Sequence, residues 1–266
     1  MQVSEAKVDS VVRGSTNMSY KVAAAEEIPH SVFRTYDIRG NVGPDSINAD
    51  LSYAIGLAFG TMALACEQST VVVGRDGRLT GAELLQALMA GLRASGCDVI
   101  DLGMVSSPIL YFAASTLEET STGIMVTASH NPAGDNGFKL VLNGTTLTAS
   151  GVQDIYQRIV RREFAQGSGS YKSLDIVEDY ISYIVKNIQL ERPLKVVVDC
   201  GNGVGAVAGP EVLKRLGCDV IELYCEVDGA FPNHHPDPTV PKNLVDIIAK
   251  VKSEKADLGL AFDGDA

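Results

Sequence analysis

With 266 residues, 45% of them hydrophobic and 21% charged, the chain is long enough for two α/β units that each have a core. Its net charge of −11 argues against a sequence-independent nucleic-acid binder or a polybasic membrane protein, yet permits an anionic small substrate in a locally basic cleft. Five cysteines without CxxC spacing argue against a disulfide or zinc framework and read as reduced thiols of a cytosolic protein, so the expected compartment is the cytoplasm.

No apolar run is long enough to span a bilayer, so no membrane partner is expected. Residues 1–27 carry Glu5, Asp9, Glu26 and Glu27 and lack an apolar h-region; they read as a disordered or loosely helical extension and not a signal peptide. Next, Arg34, Tyr36, Asp37 and Arg39 crowd together ahead of Gly40. Arginine forks suit phosphate or carboxylate oxygens, the alternative being a surface strand with Arg–Asp pairs.

Periodicity then predicts a helix over residues 49–65, a buried strand at 71–73, a helix over 82–95 stopped by Gly96, a strand at 99–103 and a helix from Pro108 to Ser115. Residues 124–127 form a β-branched strand that empties into Ala128-Ser129-His130-Asn131-Pro132 and a run of turn formers. A second strand, 138–142, follows, with Asn143-Gly144 as a two-residue hairpin turn, and Lys139 brings a cation back towards Ser129. By itself this is a polar loop on a buried sheet; sequence neighbours point different ways, so Ser129 and His130 are not assumed to be a nucleophile and its base. Strands alternating with helices predict an open α/β/α sandwich with ligands at the carboxyl ends of its strands.

Helices are expected over residues 151–164 and 175–188, the second amphipathic and suited to link two domains. A second unit then echoes the first. Val196–Val198, a Gly-rich loop, a helix and GCDVIEL at 217–223 repeat the order of Val71–Val73, a Gly-rich loop, a helix and GCDVIDL at 96–102. Residues 257–262 then stand where 123–127 stood, which sets Asp263 and Asp265 opposite Ser129. Carboxylates at i and i+2 around Gly264 suit a hard cation such as Mg²⁺, although two are few for a tight site. A competing reading takes Gly201-x-Gly203-x-x-Ala206 and Glu222 as a dinucleotide-binding fingerprint, against which Asp199-Cys200 intervene before the first glycine. In the 233–238 loop the two histidines suggest a metal, and a rigid proline-bounded loop is the plainer reading.

Seven motifs in order resemble the α-phosphohexomutases, and most closely their bacterial phosphomannomutase/phosphoglucomutase branch. They are FRTYDIRG at 33–40, VGRDGR at 73–78, TASHNP at 127–132, NGFK at 136–139, VVVDCGNG at 196–203, FPNHHPDP at 231–238 and LAFDGD at 260–265. The resemblance implies two related three-layer α/β/α domains with mixed, mostly parallel sheets. It divides the chain into a flexible extension (1–28), a domain I with the phosphoserine loop (29–172) and a domain II with the metal loop (173–266), the family's domains III and IV being absent. It further implies that Ser129 is the phosphorylated residue, exchanging its phosphoryl group with a mannose or glucose phosphate through a hexose 1,6-bisphosphate that also serves as activator. Mg²⁺ would be held by the Ser129 phosphate, Asp263 and Asp265, with a third aspartate beyond this chain. Lys139 and Arg39 would flank the phosphoryl group, His130 would shape the site and share in acid–base work, and Arg34 and Tyr36 would line the substrate side. The variation at 77–81 is read as structural. The expected protein is a monomer that binds hexose phosphate and no nucleic acid, with little or no turnover in this form; a non-catalytic protein that keeps the fold is the alternative.

Overall fold

The structure is a computed structural model and describes residues 19–266. The first sheet takes β1 (Asp37–Asn41), β2 (Thr70–Arg75), β3 (Asp98–Met104), β4 (Gly123–Val126), β5 (Asp135–Leu142), β6 (Thr145–Thr146) and β7 (Tyr171–Ser173). Its helices are α1 (Ala49–Ala65), α2 (Gly81–Ser95), α3 (Ser107–Thr116) and α4 (Ala149–Arg161). After α5 (Val177–Asn187), a second sheet is built from β8 (Lys195–Asp199), β9 (Asp219–Leu223) and β10 (Leu258–Ala261), with α6 (Gly209–Arg215) and α7 (Val245–Glu254).

The first sheet runs β1-β5-β4-β2-β3-β7, with β6 on β5, and the second runs β10-β8-β9. β2 is parallel to β3 and β4, and β3 to β7, whereas β5 is antiparallel to β1, β4 and β6. The second sheet is wholly parallel. Its order β10-β8-β9 repeats β4-β2-β3, the structural form of the sequence echo.

Why the fold has three layers is visible in the central strands. Side chains alternate across a strand, so Val71 and Val73 join the core made with Ile55, Phe59 and Leu88, while Val72 enters the opposite core with Ile109, Leu110 and Ile181. Ile124 and Val126 divide from Met125 in the same way. A strand apolar on both faces needs helices on both faces: α1 and α2 cover one, α3 and α5 the other. α1 is capped at Asn48, whose side chain accepts from Leu51 N at 2.8 Å. It packs on α2 nearly backbone to backbone, because Gly56 and Gly91 stand at the crossing; a Cβ on Gly91 would lie 2.1 Å from Tyr53 O.

Asn143 and Gly144 have φ of 49° and 73°, the two left-handed positions of the expected hairpin turn. The helix expected over 151–164 stops at Arg161, because Arg162 turns left-handed (φ 55°) and its guanidinium donates to Val22 O and Ala23 O. Most of the expected N-terminal extension lies outside the described residues. Its last part is seated on the first unit: Lys21 N donates to Asp50, Tyr20 stacks on Tyr53, and Ile28 is buried. α5 touches both units, through Tyr180 against Phe112 and through a Glu178–Arg215 ion pair to α6. Among the described residues no helix is long and apolar enough to cross a membrane.

Candidate active site

Ser129 sits three residues past β4 with φ 52°, a left-handed conformation costly for a non-glycine residue unless its surroundings impose it. They do. Ser129 N donates to Thr127 Oγ1 at 2.9 Å, and Thr127 Oγ1 donates to Asp76 Oδ2 at 2.6 Å. Arg78, only 1% exposed, donates to four carbonyls of the same loop: Ser129 O (2.8 Å), Asn131 O (2.7 Å), Pro132 O (2.6 Å) and Asp135 O (2.9 Å). Its Nε lies 3.2 Å from Asp76 Oδ2, and Phe231 covers the guanidinium face. The loop after β2 therefore clamps the loop after β4.

From the other sheet, the loop after β10 meets Ser129. Ser129 Oγ donates to Asp263 Oδ2 at 2.5 Å. Lys139, on β5 opposite Met125, donates to Asp265 Oδ2 at 2.6 Å, and Ser107 Oγ donates to the same oxygen. Ser107 N also bonds Asp265 O, at 3.0 Å. Gly264 has no room for a side chain, since a Cβ would approach Ser129 O to 2.4 Å. His235 adds a further tie, donating from Nε2 to His130 O at 2.6 Å.

The electrostatics follow from burial and neighbours. Burial raises the Asp265 carboxyl's pKa, but the Lys139 ammonium and hydrogen bonds from Lys139 and Ser107 outweigh it and hold the group below the usual aspartate range. Asp76 goes the other way. Burial pushes it up to about 6 despite Arg78 and Thr127.

Of the residues singled out in the sequence, Ser129, Lys139, Asp263 and Asp265 converge. His130 Nδ1 stands 4.0 Å from Asp263 Oδ2 with its side chain 55% exposed. Arg39 reaches the loop through Asn131 Oδ1 (2.9 Å) and pairs with Asp37 (2.5 Å), while its buried Nε has no hydrogen-bond partner. Arg34 and Tyr36 are exposed, and among the described residues no side-chain hydrogen bond joins either to the Ser129 cluster. The sequence assigns no role to Asp76, Thr127 or Ser107, and it marks Arg78 and His235 only as members of loops read as structural. The GRDGR motif at 74–78 is the available signal for Asp76 and Arg78; Ser107 only precedes the helix predicted from Pro108.

The dinucleotide reading fails on space. Cβ atoms on Gly201 and Gly203 would press on Pro236, at 3.1 Å, and on Asp263 O, at 3.0 Å, so these glycines admit the chain's own loops where a pyrophosphate would have to lie. The two histidines of the 233–238 loop are likewise structural: His234 Nε2 bonds Asp199 Oδ2 at 2.9 Å, and His235 holds His130 O. Among the described residues, no group of three or more His, Cys, Asp or Glu side chains is arranged to hold a metal ion.

Fold and site together define a tandem α/β/α protein whose two strand-end loops meet at a serine, two aspartates and a lysine. The chain belongs to the phosphoglucomutase/phosphomannomutase family: residues 30–166 match its alpha/beta/alpha domain I and residues 178–266 its alpha/beta/alpha domain II. It is 54% identical over 243 residues to a phosphomannomutase/phosphoglucomutase of Pseudomonas aeruginosa, covering 91% of this chain and 52% of that protein. It is 45% identical over 241 residues to a phosphoglucomutase of Neisseria meningitidis, covering 90% and 52%. A crystal structure of a phosphoglucomutase/phosphomannomutase family protein from Burkholderia thailandensis superimposes with a TM-score of 0.87 at 49% identity, covering 90% of this chain and 53% of that one. The chain thus spans about half the length of the curated relatives it matches.

Proposed function

We propose that this protein transfers phosphoryl groups on hexose phosphates, interconverting the 6- and 1-phosphates of mannose or glucose, with Ser129 as the carrier. The observation that carries the reading is the 2.5 Å approach of the Ser129 hydroxyl to Asp263 across the cleft, with Lys139 on Asp265 beside it. The names of the relatives support the substrate class.

When Ser129 is phosphorylated, its Oγ is the leaving oxygen. The Oγ–P bond breaks as a sugar hydroxyl oxygen bonds to phosphorus, and the hydroxyl proton passes to a neighbouring base. The product, a hexose 1,6-bisphosphate, reorients and returns its other phosphoryl group to Ser129 Oγ. Free bisphosphate acts as activator by restoring a lost phosphoserine. Such transfer depends on positioning and charge neutralisation more than on covalent help. Lys139 and Arg39 supply the cations, and the unpartnered Arg39 Nε has donor capacity for a phosphoryl oxygen. His130 is assigned a share in proton transfer, a reading supported by its half-exposed ring beside Asp263. Arg34 and Tyr36 are assigned to the substrate side.

The central donors are all hard oxygens, two carboxylates and a hydroxyl, which fits Mg²⁺ and not a soft metal. Asp263, Asp265 and the Ser129 phosphate would hold it. When bound, the ion supplies neutralisation of charge on the transferring oxygens.

Intact-mass and peptide spectrometry after incubation with glucose 1,6-bisphosphate and Mg²⁺ tests the reading. The expected result is one phosphate on Ser129, absent in Ser129→Ala and discharged by excess glucose or mannose 6-phosphate. An unmodified Ser129 under these conditions defeats it.

A further inference from the structure

We propose that Cys200 and Cys225 are a modification site: a thiol pair that a peroxide converts to a reversible disulfide. This inference does not rest on the phosphoryl-transfer reading. Cys200 directly follows β8, and Cys225 lies two residues beyond β9. The parallel pairing sets Asp199 against Leu223, so both cysteines leave the sheet at the same end. Hydrogen bonds from Cys200 N to Leu223 O (3.1 Å) and from Asn202 N to Tyr224 O (2.9 Å) continue the ladder past the strand ends and fix the two backbones side by side.

The Cys225 thiol points at Cys200, with 3.2 Å between the sulfurs. A disulfide needs about 2.0 Å, so closing the bond takes a shift of about 1 Å, within reach of side-chain rotation. The two thiols are unequal in the way a redox pair requires. Cys200 is wholly buried and Cys225 partly exposed, which makes Cys225 the sulfur a small oxidant meets first. The contact with Cys200 also holds the Cys225 thiol below its ordinary value, while the same contact and burial push Cys200 up. Thiolate character and access together select the attacking sulfur.

The chemistry balances with hydrogen peroxide as oxidant. The Cys225 sulfur attacks one peroxide oxygen; the S–O bond forms, the O–O bond breaks, and the other oxygen leaves as water with the thiol proton. The Cys200 sulfur then attacks the sulfenic sulfur; the S–S bond forms, the S–O bond breaks, and a second water leaves with the Cys200 proton. Two thiols lose two electrons and one peroxide gains them. The site lies close to the Asp263 loop: Cys200 O accepts from Gly203 N at 2.7 Å, and the next amide, Val204 N, donates to Gly264 O at 3.3 Å.

The test is non-reducing peptide mapping of the full chain, reduced, treated with equimolar hydrogen peroxide and then alkylated under denaturing conditions. The expected product is a linked pair of peptides containing Cys200 and Cys225, lighter than their sum by two hydrogens and separated again by a thiol reductant. Cys225→Ser and Cys200→Ala should each abolish it, and Cys66→Ser, at the exposed cysteine, should leave it intact. Recovery of Cys200 and Cys225 as alkylated thiols while Cys66 is oxidised overturns the proposal. So does oxidation of Cys225 to a sulfinic acid, or its linkage to any other cysteine. If the variants fail to fold, the map of the unaltered chain decides alone.

Discussion

Arg78 and Asp76 bring two buried charges to the loop that holds Ser129, and the geometry explains why they are tolerated. Arg78 gives a donor to four carbonyls of an irregular loop, and a buried polar group without a partner costs about 1–3 kcal/mol. Asp76 has fewer donors, and burial pushes it up to about 6 from an ordinary value of 3.8. The native protein therefore retains, between these two values, a proton that the unfolded chain has released. Its contribution to stability falls as pH rises through that window. A shift of about two units corresponds to about 3 kcal/mol as an upper figure. Denaturant unfolding between pH 4 and 7 should show the unaltered protein losing about 1–3 kcal/mol relative to Asp76→Asn as pH rises. A gap independent of pH would mean that Asp76 is ionised throughout.

Among the elements, the α1–α2 contact is the most tightly specified. Gly56 and Gly91 let each helix backbone approach the other, and the atoms that a Cβ would strike are backbone, which cannot rotate aside. Gly91→Ala gains helix propensity of about 1 kcal/mol but forces the helices apart. A net loss of about 1–3 kcal/mol in unfolding free energy is expected, and an unchanged or raised midpoint would refute the close crossing. The identity of these helices was legible in the sequence, down to the stop at Gly96. Their pairing was not. Apolar periodicity marks a face to be buried without saying what buries it. The same limit applies to Val71–Val73, where three apolar residues in a row carry no alternation, and only helices on both sides divide them between two cores.

For the whole molecule, the decisive contacts run between the two sheets through Asp263, Asp265 and His235. Asp265 is 2% exposed, so removing its cation leaves a carboxylate with little access to water. Lys139 is itself partly exposed. Its loss should therefore cost less than a fully buried pair would, about 2 kcal/mol for Lys139→Ala. Asp265→Asn in the same chain should recover part of that loss. A double-mutant cycle by denaturant unfolding would measure the coupling, and a coupling energy near zero would show that the pair does not join the units.

By itself the sequence determined most of the strands and helices though not β6, β7 or α7, the repeated unit, and the candidates Ser129, Lys139, Asp263 and Asp265, because periodicity, turn chemistry and motif order are local properties of a chain. The internal echo even set Ser129 opposite Asp263 and Asp265. Only the tertiary structure decided how they meet: that Ser129 Oγ faces Asp263, that Asp265 is held by Lys139 and Ser107, and that Arg78 builds the loop from beneath. Those contacts join residues as far apart as Ser107 and Asp265, and their distances depend on how two sheets pack. A one-dimensional pattern does not carry that information. For the same reason Gly201 and Gly203 imitate a nucleotide fingerprint in sequence, and in space make room for the chain's own loops.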